Sequence, residues 1–217
     1  MTVRPVSRAD LEAGLGVAAL APGDERSRMR LVEDVGSLRC QVDALLVSFH
    51  WGIELVSSTI AAYEGALARA AIDAGADVVF GHHQHILKGV DVYRGRPIVH
   101  GAGNFVMDLD LADIEAWMPA VSASRGEYAL RANTAYPTYP FHPESRLTVI
   151  LQFRACSNGV RDLALVPCVI NRDGQPAPLR AGDDGFRKWL GYLKRLTAEA
   201  GLAARFAFDE QGLIRLE

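Results

Sequence analysis

Four of the six histidines in this 217-residue chain sit in two short stretches: His50 closes "LLVSFH", and His82, His83 and His85 close "DVVFGHHQH". Each stretch is an apolar run that stops at imidazole. In an extended segment the i, i+2 spacing of His83 and His85 turns both rings to one side, with backbones roughly 7 Å apart. Rings so placed can share one metal ion or bracket two ions ~4 Å apart, with His50 as a third ligand from the side. Neutral imidazole suits zinc, manganese or iron and needs a neighbouring acceptor to fix its tautomer. Glu54, Asp77 and the amide oxygen of Asn104 are candidates for that acceptor. His82 is read as pointing away from His83 and His85, toward packing or solvent. His100 and His142, each alone, read as ordinary partly buried side chains.

For the histidines to meet, the segments that carry them must be neighbours. "DALLVSF" and "DVVFG" are short continuous apolar runs, the pattern of buried strands. Between them "TIAAYEGALARAAIDAG" reads as a helix closed by Gly75. Strand, helix and strand at this spacing form a βαβ crossover, which makes the strands parallel neighbours and brings both C-terminal ends to one edge. Ligands of open α/β sheets gather at that edge.

The rest of the chain frames this unit. Asp24–Val42 carries Met29, Leu31, Val32, Val35, Leu38 and Val42 at helical spacing, an amphipathic helix. A hairpin is predicted with strands around Val90–Tyr93 and Pro97–His100, turning at Arg94-Gly95-Arg96. Met107–Ser145 reads as an irregular excursion of the kind that forms lids or binding loops. A second hairpin is set by Ser157-Asn158-Gly159, because Asn-Gly favours tight turns. A late helix follows with Phe186, Leu190, Leu193 and Leu196 inward, then a small closing hairpin around Gln211-Gly212.

Composition removes several classes of function. A net charge of −3, a pI near 6.1 and the lack of a dense Lys/Arg cluster argue against a nucleic-acid partner. Cys40, Cys156 and Cys168 are widely spaced with no CxxC pair, which suggests neither a disulfide framework nor a thiolate zinc site. They read as small core residues. Asp10 and Glu12 fall where a secretory signal needs an apolar core, and no apolar run approaches the ~20 residues of a membrane span. The chain as given is expected to be soluble, its compartment undecided. Ser48 has no GxSxG elbow, and no GKS or GKT follows "HGAGNF", so neither a serine nucleophile nor a phosphate loop is indicated.

"SFHWGIE", "ALARAAIDAGADVVFGHHQHILKGVDVYRGRPIVHGAGNFVMD" and "VPCVINRDGQP" together resemble the CapA family of poly-γ-glutamate capsule biosynthesis proteins, within the calcineurin-like metallophosphoesterase superfamily. The family pattern runs His-Trp-Gly-x-Glu, a helix, Ala-Asp-x-Val-x-Gly-x-His-Pro-His, a hairpin and Gly-Asn-Phe. Leu45 to Asp108 follow it closely and the chain to Glu217 loosely, with Gln84 in place of the usual Pro and "HGAGNF" in place of Tyr-Ser-Leu-Gly-Asn-Phe. The resemblance implies an α/β fold, the C-terminal half of a four-layer α/β/β/α metallophosphoesterase-like sandwich that begins mid-domain. One partial domain would then span 1–217: entry segment and helix to 44, ligand-bearing core and hairpin over 45–108, excursion over 109–145, and strands, helix and hairpin over 146–217.

By the same resemblance His50, His83 and His85 are metal ligands, with His50 and His83 catalytic; beside it, the residues themselves make Glu54, Asn104 and His82 candidates to orient the ligands and Arg146 a candidate to meet a substrate carboxylate or phosphate. The implied cofactors are divalent zinc, manganese or iron, two in a complete domain, activating water for attack on a phosphoryl or acyl centre. A histidine beside the metals would protonate the leaving group. Similar proteins carry Gly-Asp and Asn-Asn-His segments that supply further ligands, and nothing before Leu45 matches them. The chain is therefore expected to be incomplete, with a bare sheet edge that favours a second copy or a separately encoded N-terminal half. The expected substrate is a peptide, γ-glutamyl polymer or phosphoester. A metal-dependent peptide epimerase and a non-catalytic scaffold subunit of polymer biosynthesis are the competing readings.

Overall fold

A computed structural model describes residues 25–54, 56–106, 108–109 and 133–216 and shows an α/β fold with two sheets. The entry segment before Glu25 and residues 110–132 of the excursion lie outside the described residues. Helix α1 (Glu25–Arg39) is shorter than its apolar stripe predicts, and it buries only Val35, with Leu31 packed against the same core. Met29, Leu38 and Val42 are 48%, 49% and 41% exposed, so the outer part of the stripe faces away from the sheet.

Strand β1 (Leu46–His50) leads to helix α2 (Ala62–Asp73) and strand β2 (Val78–His82), and the two strands pair in parallel as the crossover spacing requires. Their register runs from Leu46 opposite Val78 to His50 opposite His82. Ala68 and Ala71 are fully buried, which lets α2 lie close to the sheet. The helix ends in a Schellman motif: Ala76 N–H donates to Ala71 O at 3.0 Å and Gly75 N–H to Ile72 O at 3.0 Å. Gly75 supplies the left-handed φ of 118° that this turn needs.

Strands β3 (Val90–Tyr93) and β4 (Arg96–Val99) form the expected hairpin, with Arg94 and Gly95 at φ 51° and 73°, both left-handed as a tight two-residue hairpin turn demands. The first sheet has the order β1-β2-β4-β3. β1 is thus an edge strand and not the buried strand its composition suggests; Ser48 and His50 are exposed. Among the described residues its only strand partner is β2.

The second sheet is antiparallel. Strands β5 (Leu147–Cys156) and β6 (Gly159–Ile170) flank the Ser157-Asn158 turn, and β7 (Pro176–Pro178) pairs with β6. After helix α3 (Asp184–Glu199), β8 (Phe206–Phe208) and β9 (Ile214–Leu216) close as a hairpin on β6. Phe186, Leu190, Leu193 and Leu196 are buried as predicted, together with Trp189.

Helices α1 and α2 pack on the first sheet around Val79 and Ile98, while Val90 and Val99 share a core with Val149, Leu165, Ile214 and α3. α3 touches both sheets: Trp189 Nε1 donates to Thr148 O at 2.9 Å, and Val90 N–H donates to Thr197 Oγ1 at 3.1 Å. A helix covering only the outer face of the second sheet, which a four-layer sandwich requires, is not among the described elements. No described helix is long and apolar enough to cross a membrane. Cys168 is buried, Cys156 partly so, and Cys40 is exposed, which corrects its reading as a core residue.

Asp77 is not near the histidines. It precedes β2, at the opposite end of that strand from His82, and its buried carboxylate accepts from Leu45 N–H at 2.9 Å, from Arg39 at 2.8 Å and pairs with Arg96 at 2.6 Å. Its expected role beside a metal ligand therefore gives way to one in assembly. Asp77→Ala is expected to lower the unfolding free energy by about 1–3 kcal/mol in urea titration, because it leaves the buried Leu45 N–H without its acceptor. Asp184→Ala, which removes an exposed partner of Arg187, should change it by less than about 0.5 kcal/mol.

Candidate functional site

The last residues of β1 and β2 begin the site. Because His50 and His82 are register partners on neighbouring parallel strands, their side chains leave the same face of the sheet. Their Nδ1 atoms stand 3.1 Å apart, with the rings edge to face at 5.0 Å. His82 therefore turns toward His50, not toward packing or open solvent as its sequence position suggests.

The chain then leaves the strand. His83 and His85 have φ of 99° and 55°, so the segment is bent and the extended i, i+2 geometry does not apply. The bends still gather the rings: His83 lies 4.5 Å from His50 and 6.4 Å from His85, centroid to centroid. Between them Gln84 is buried and donates from Nε2 to His100 O at 2.9 Å. Trp51 Nε1 donates to the same carbonyl at 2.9 Å, so one oxygen anchors both histidine-bearing turns.

His85 has a fixed tautomer. Its Nδ1 donates to Asn104 Oδ1 at 2.7 Å, which leaves Nε2 bare, 3.8 Å from Glu54 Oε1. Asn104 in turn donates to Tyr139 Oη at 2.6 Å, and the Tyr139 hydroxyl donates to Ser145 O. Burial pushes the Tyr139 phenol well above its ordinary pKa, so it remains a donor. Phe141 stacks on His85 with centroids 5.5 Å apart. Arg146 lies 4.0 Å over the Tyr136 ring, at the end of the same wall. Tyr139 and Phe141 were missed in the sequence; their one signal is the aromatic spacing of "TYPF" within an otherwise irregular stretch.

Burial, followed by the neighbouring His50, lowers the pKa values of His82 and His83 from the ordinary imidazole value. The neutral form, which binds cations, is thereby favoured. His100 is fully buried rather than partly so, with its Nδ1 3.4 Å from Oε2 of the buried Glu64. Lys88 is fully buried as well, and its Nζ donates to Val56 O and to Thr59 O, the latter at 3.0 Å. It fastens the loop that follows Glu54.

The donor set suits a borderline divalent cation in kind: neutral imidazoles, one carboxylate and a tautomer fixed by an amide. It does not close a full sphere, since among the described residues no group of three or more His, Cys, Asp and Glu side chains has ligating geometry.

Histidines at the C-terminal ends of a parallel βαβ pair put the candidate site of this α/β protein where ligands of open α/β sheets gather. The particular family follows from comparison with known proteins. Residues 4–109 match the family described as "Bacterial capsule synthesis protein PGA_cap" and belong to it. The chain is similar to "Capsule biosynthesis protein CapA" of Bacillus anthracis, 38% identical over 91 residues, or 42% of this chain and 20% of that protein. It is 33% identical over 99 residues to "PGA biosynthesis protein CapA" of Bacillus subtilis, or 46% of this chain and 24% of that protein. An uncharacterised protein of Sinorhizobium fredii is 39% identical over 174 residues, or 71% of this chain and 37% of that protein. The matched spans thus cover from 20% to 37% of these relatives.

The buried Lys88 gives a test of the loop anchor. Burial pulls its pKa down from 10.5 to about 8, with Glu64 opposing the shift. Between pH 8 and 10.5 the unfolded chain holds a proton that the folded chain lacks, so this residue's contribution to stability rises with pH across that window. The difference in unfolding free energy between wild type and Lys88→Met, followed by urea titration, should shift in favour of wild type as pH rises. A flat difference would show that the ammonium is not desolvated as drawn.

Proposed function

We propose that this chain contributes the histidine side of a divalent-metal hydrolase centre that acts in capsule or cell-envelope polymer metabolism, on a peptide, γ-glutamyl amide or phosphoester. The observation that carries the reading is His85, whose Asn104 bond leaves a bare Nε2 facing Glu54 across 3.8 Å. That separation is too wide for a hydrogen bond, and a divalent ion held by these two groups would supply Lewis acidity there. His50, His83 and His85 would hold the ion, with Glu54 beside them. A bound ion would polarise a phosphoryl or acyl oxygen and acidify water.

The protein's own groups prepare that chemistry. Asn104, held by Tyr139, keeps the proton of His85 on Nδ1, and Phe141 covers one face of the ring. Burial favours the neutral form of His83, the form that binds a cation. Arg146, over Tyr136, offers a guanidinium to a carboxylate or phosphate. Among the described residues the outer edge of β1 carries no strand, and further strands from a second copy or a partner chain would extend the sheet there.

One observation favours a second reading. Among the described residues three donors do not close on one point, which suits a non-catalytic subunit of polymer biosynthesis. Calorimetric titration of the metal-stripped chain with Zn2+ and with Mn2+ separates the two. The hydrolase reading expects a saturable site, a Tm that falls with chelator, and affinity weakened at least ~10-fold in His85→Ala and in Asn104→Leu. Turnover of bis-p-nitrophenyl phosphate or γ-glutamyl-p-nitroanilide should follow occupancy. No saturable site and an unmoved Tm would assign the chain to the scaffold role.

A further inference from the structure

We propose that a cavity at the end of β2 opposite the histidines binds an oxyanion group, a carboxylate or a phosphate on an aliphatic stem, through Arg96, Arg161 and Arg215. The cavity measures about 400 Å³ and is bordered by the turn of the first hairpin, the start of β6 and the end of β9. Asp77 also borders it, which places it where β2 begins and a strand's length from His82. The three arginines are far apart in the sequence, so no basic run announces them. Nothing in this site depends on a metal at the histidines.

The charges around the cavity favour an anion. The buried Asp77 carboxylate is already held by Leu45 N–H, Arg39 and Arg96. Asp162, the other acidic neighbour, lies 3.4 Å from Arg154 Nε. Among the described residues Arg161 and Arg215 have no carboxylate partner: Arg161 reaches Asn158 Oδ1 at 3.4 Å, and Arg215 Nη1 donates to the backbone carbonyl of Asp162 at 2.7 Å. Each of these contacts engages one nitrogen and leaves the rest of the guanidinium fork for a ligand. The strand is shaped to present these groups. Between the pairs Gln152–Ala164 and Arg154–Arg161, Asp162 and Leu163 both lie opposite Phe153, and Asp162 has a left-handed φ of 53°. This bulge breaks the alternation of β6, so the consecutive residues Val160 to Leu163 all border the cavity. Val160 and Leu163 give the cavity an apolar part that suits an aliphatic stem.

The test is an NMR titration of the whole chain at constant ionic strength, once with inorganic phosphate and once with glutarate. At least one probe should bind saturably and shift the Nε–H signals of Arg161 and Arg215 together with the amides of Gly95 and Gly159. Tighter phosphate would point to a phosphate source and tighter glutarate to a carboxylate source, and either supports the site. Affinity should fall at least ~10-fold in the double variant Arg161→Gln/Arg215→Gln. Arg215→Lys keeps the charge and loses the fork, and should cost at least ~3-fold. Arg187→Gln, at an exposed arginine outside the cavity, should stay within ~2-fold of wild type. Arg161 is exposed and Arg215 partly so, and a native-like amide spectrum would certify each variant as folded. Should the double variant not fold, the arginine shifts of the wild type decide alone. No saturable shift with either probe overturns the proposal, as does undiminished affinity in the folded double variant. Shifts confined to the histidine turns also overturn it and assign the anion to that site instead.

Discussion

The parallel register of β1 and β2 is the constraint on which the site depends. A slip of one residue would turn every side chain of β1 to the opposite face and carry His50 away from its neighbours. The register is locked at the start of the strands by a reciprocal contact: Asp77 N–H donates to Leu45 O at 2.8 Å, and Leu45 N–H donates to the Asp77 carboxylate at 2.9 Å. Arg39 from α1 and Arg96 from β4 neutralise that carboxylate, so four segments agree on one alignment. At the far end of the same two strands the alignment becomes the meeting of His50 and His82. Assembly and chemistry are thus joined by a single rigid span.

A second junction serves the turns that follow. The carbonyl of His100 receives Trp51 Nε1 and Gln84 Nε2, and so ties the turn after β1, the turn after β2 and the end of β4 together. Gln84 stiffens its turn through this hydrogen bond. Lys88 acts from below on the loop beyond Glu54. Trp51 Nε1, Gln84 Nε2 and Lys88 Nζ each donate to backbone carbonyls, which is how a low-dielectric interior tolerates these donors and why they fix positions well.

Much of the scaffold could be read from the sequence because period and turn chemistry agree locally. "DVVFG", the alanine-rich helix, Arg94-Gly95 and Asn158-Gly159 each specify one element without help from the rest. The histidine cluster was legible as a cluster but not in its detail. That His82 meets His50 follows from strand parity across a pair, which a single strand's alternation does not disclose. The outer stripe of α1 failed because amphipathic spacing says which residues share a face and not how wide a face the sheet covers. Tyr139 and Phe141 were hidden because the long separation from His85 leaves no periodic trace.

Left-handed backbone at His83 and His85 has a consequence for how this sequence can drift. A residue with a Cβ in that region costs on the order of 1–2 kcal/mol over one without, so glycine would relax both turns. Selection for folding alone would therefore erode these two imidazoles first. The two rings are thus held on tensed backbone, and any search for stabilised versions will be drawn to the positions that carry them.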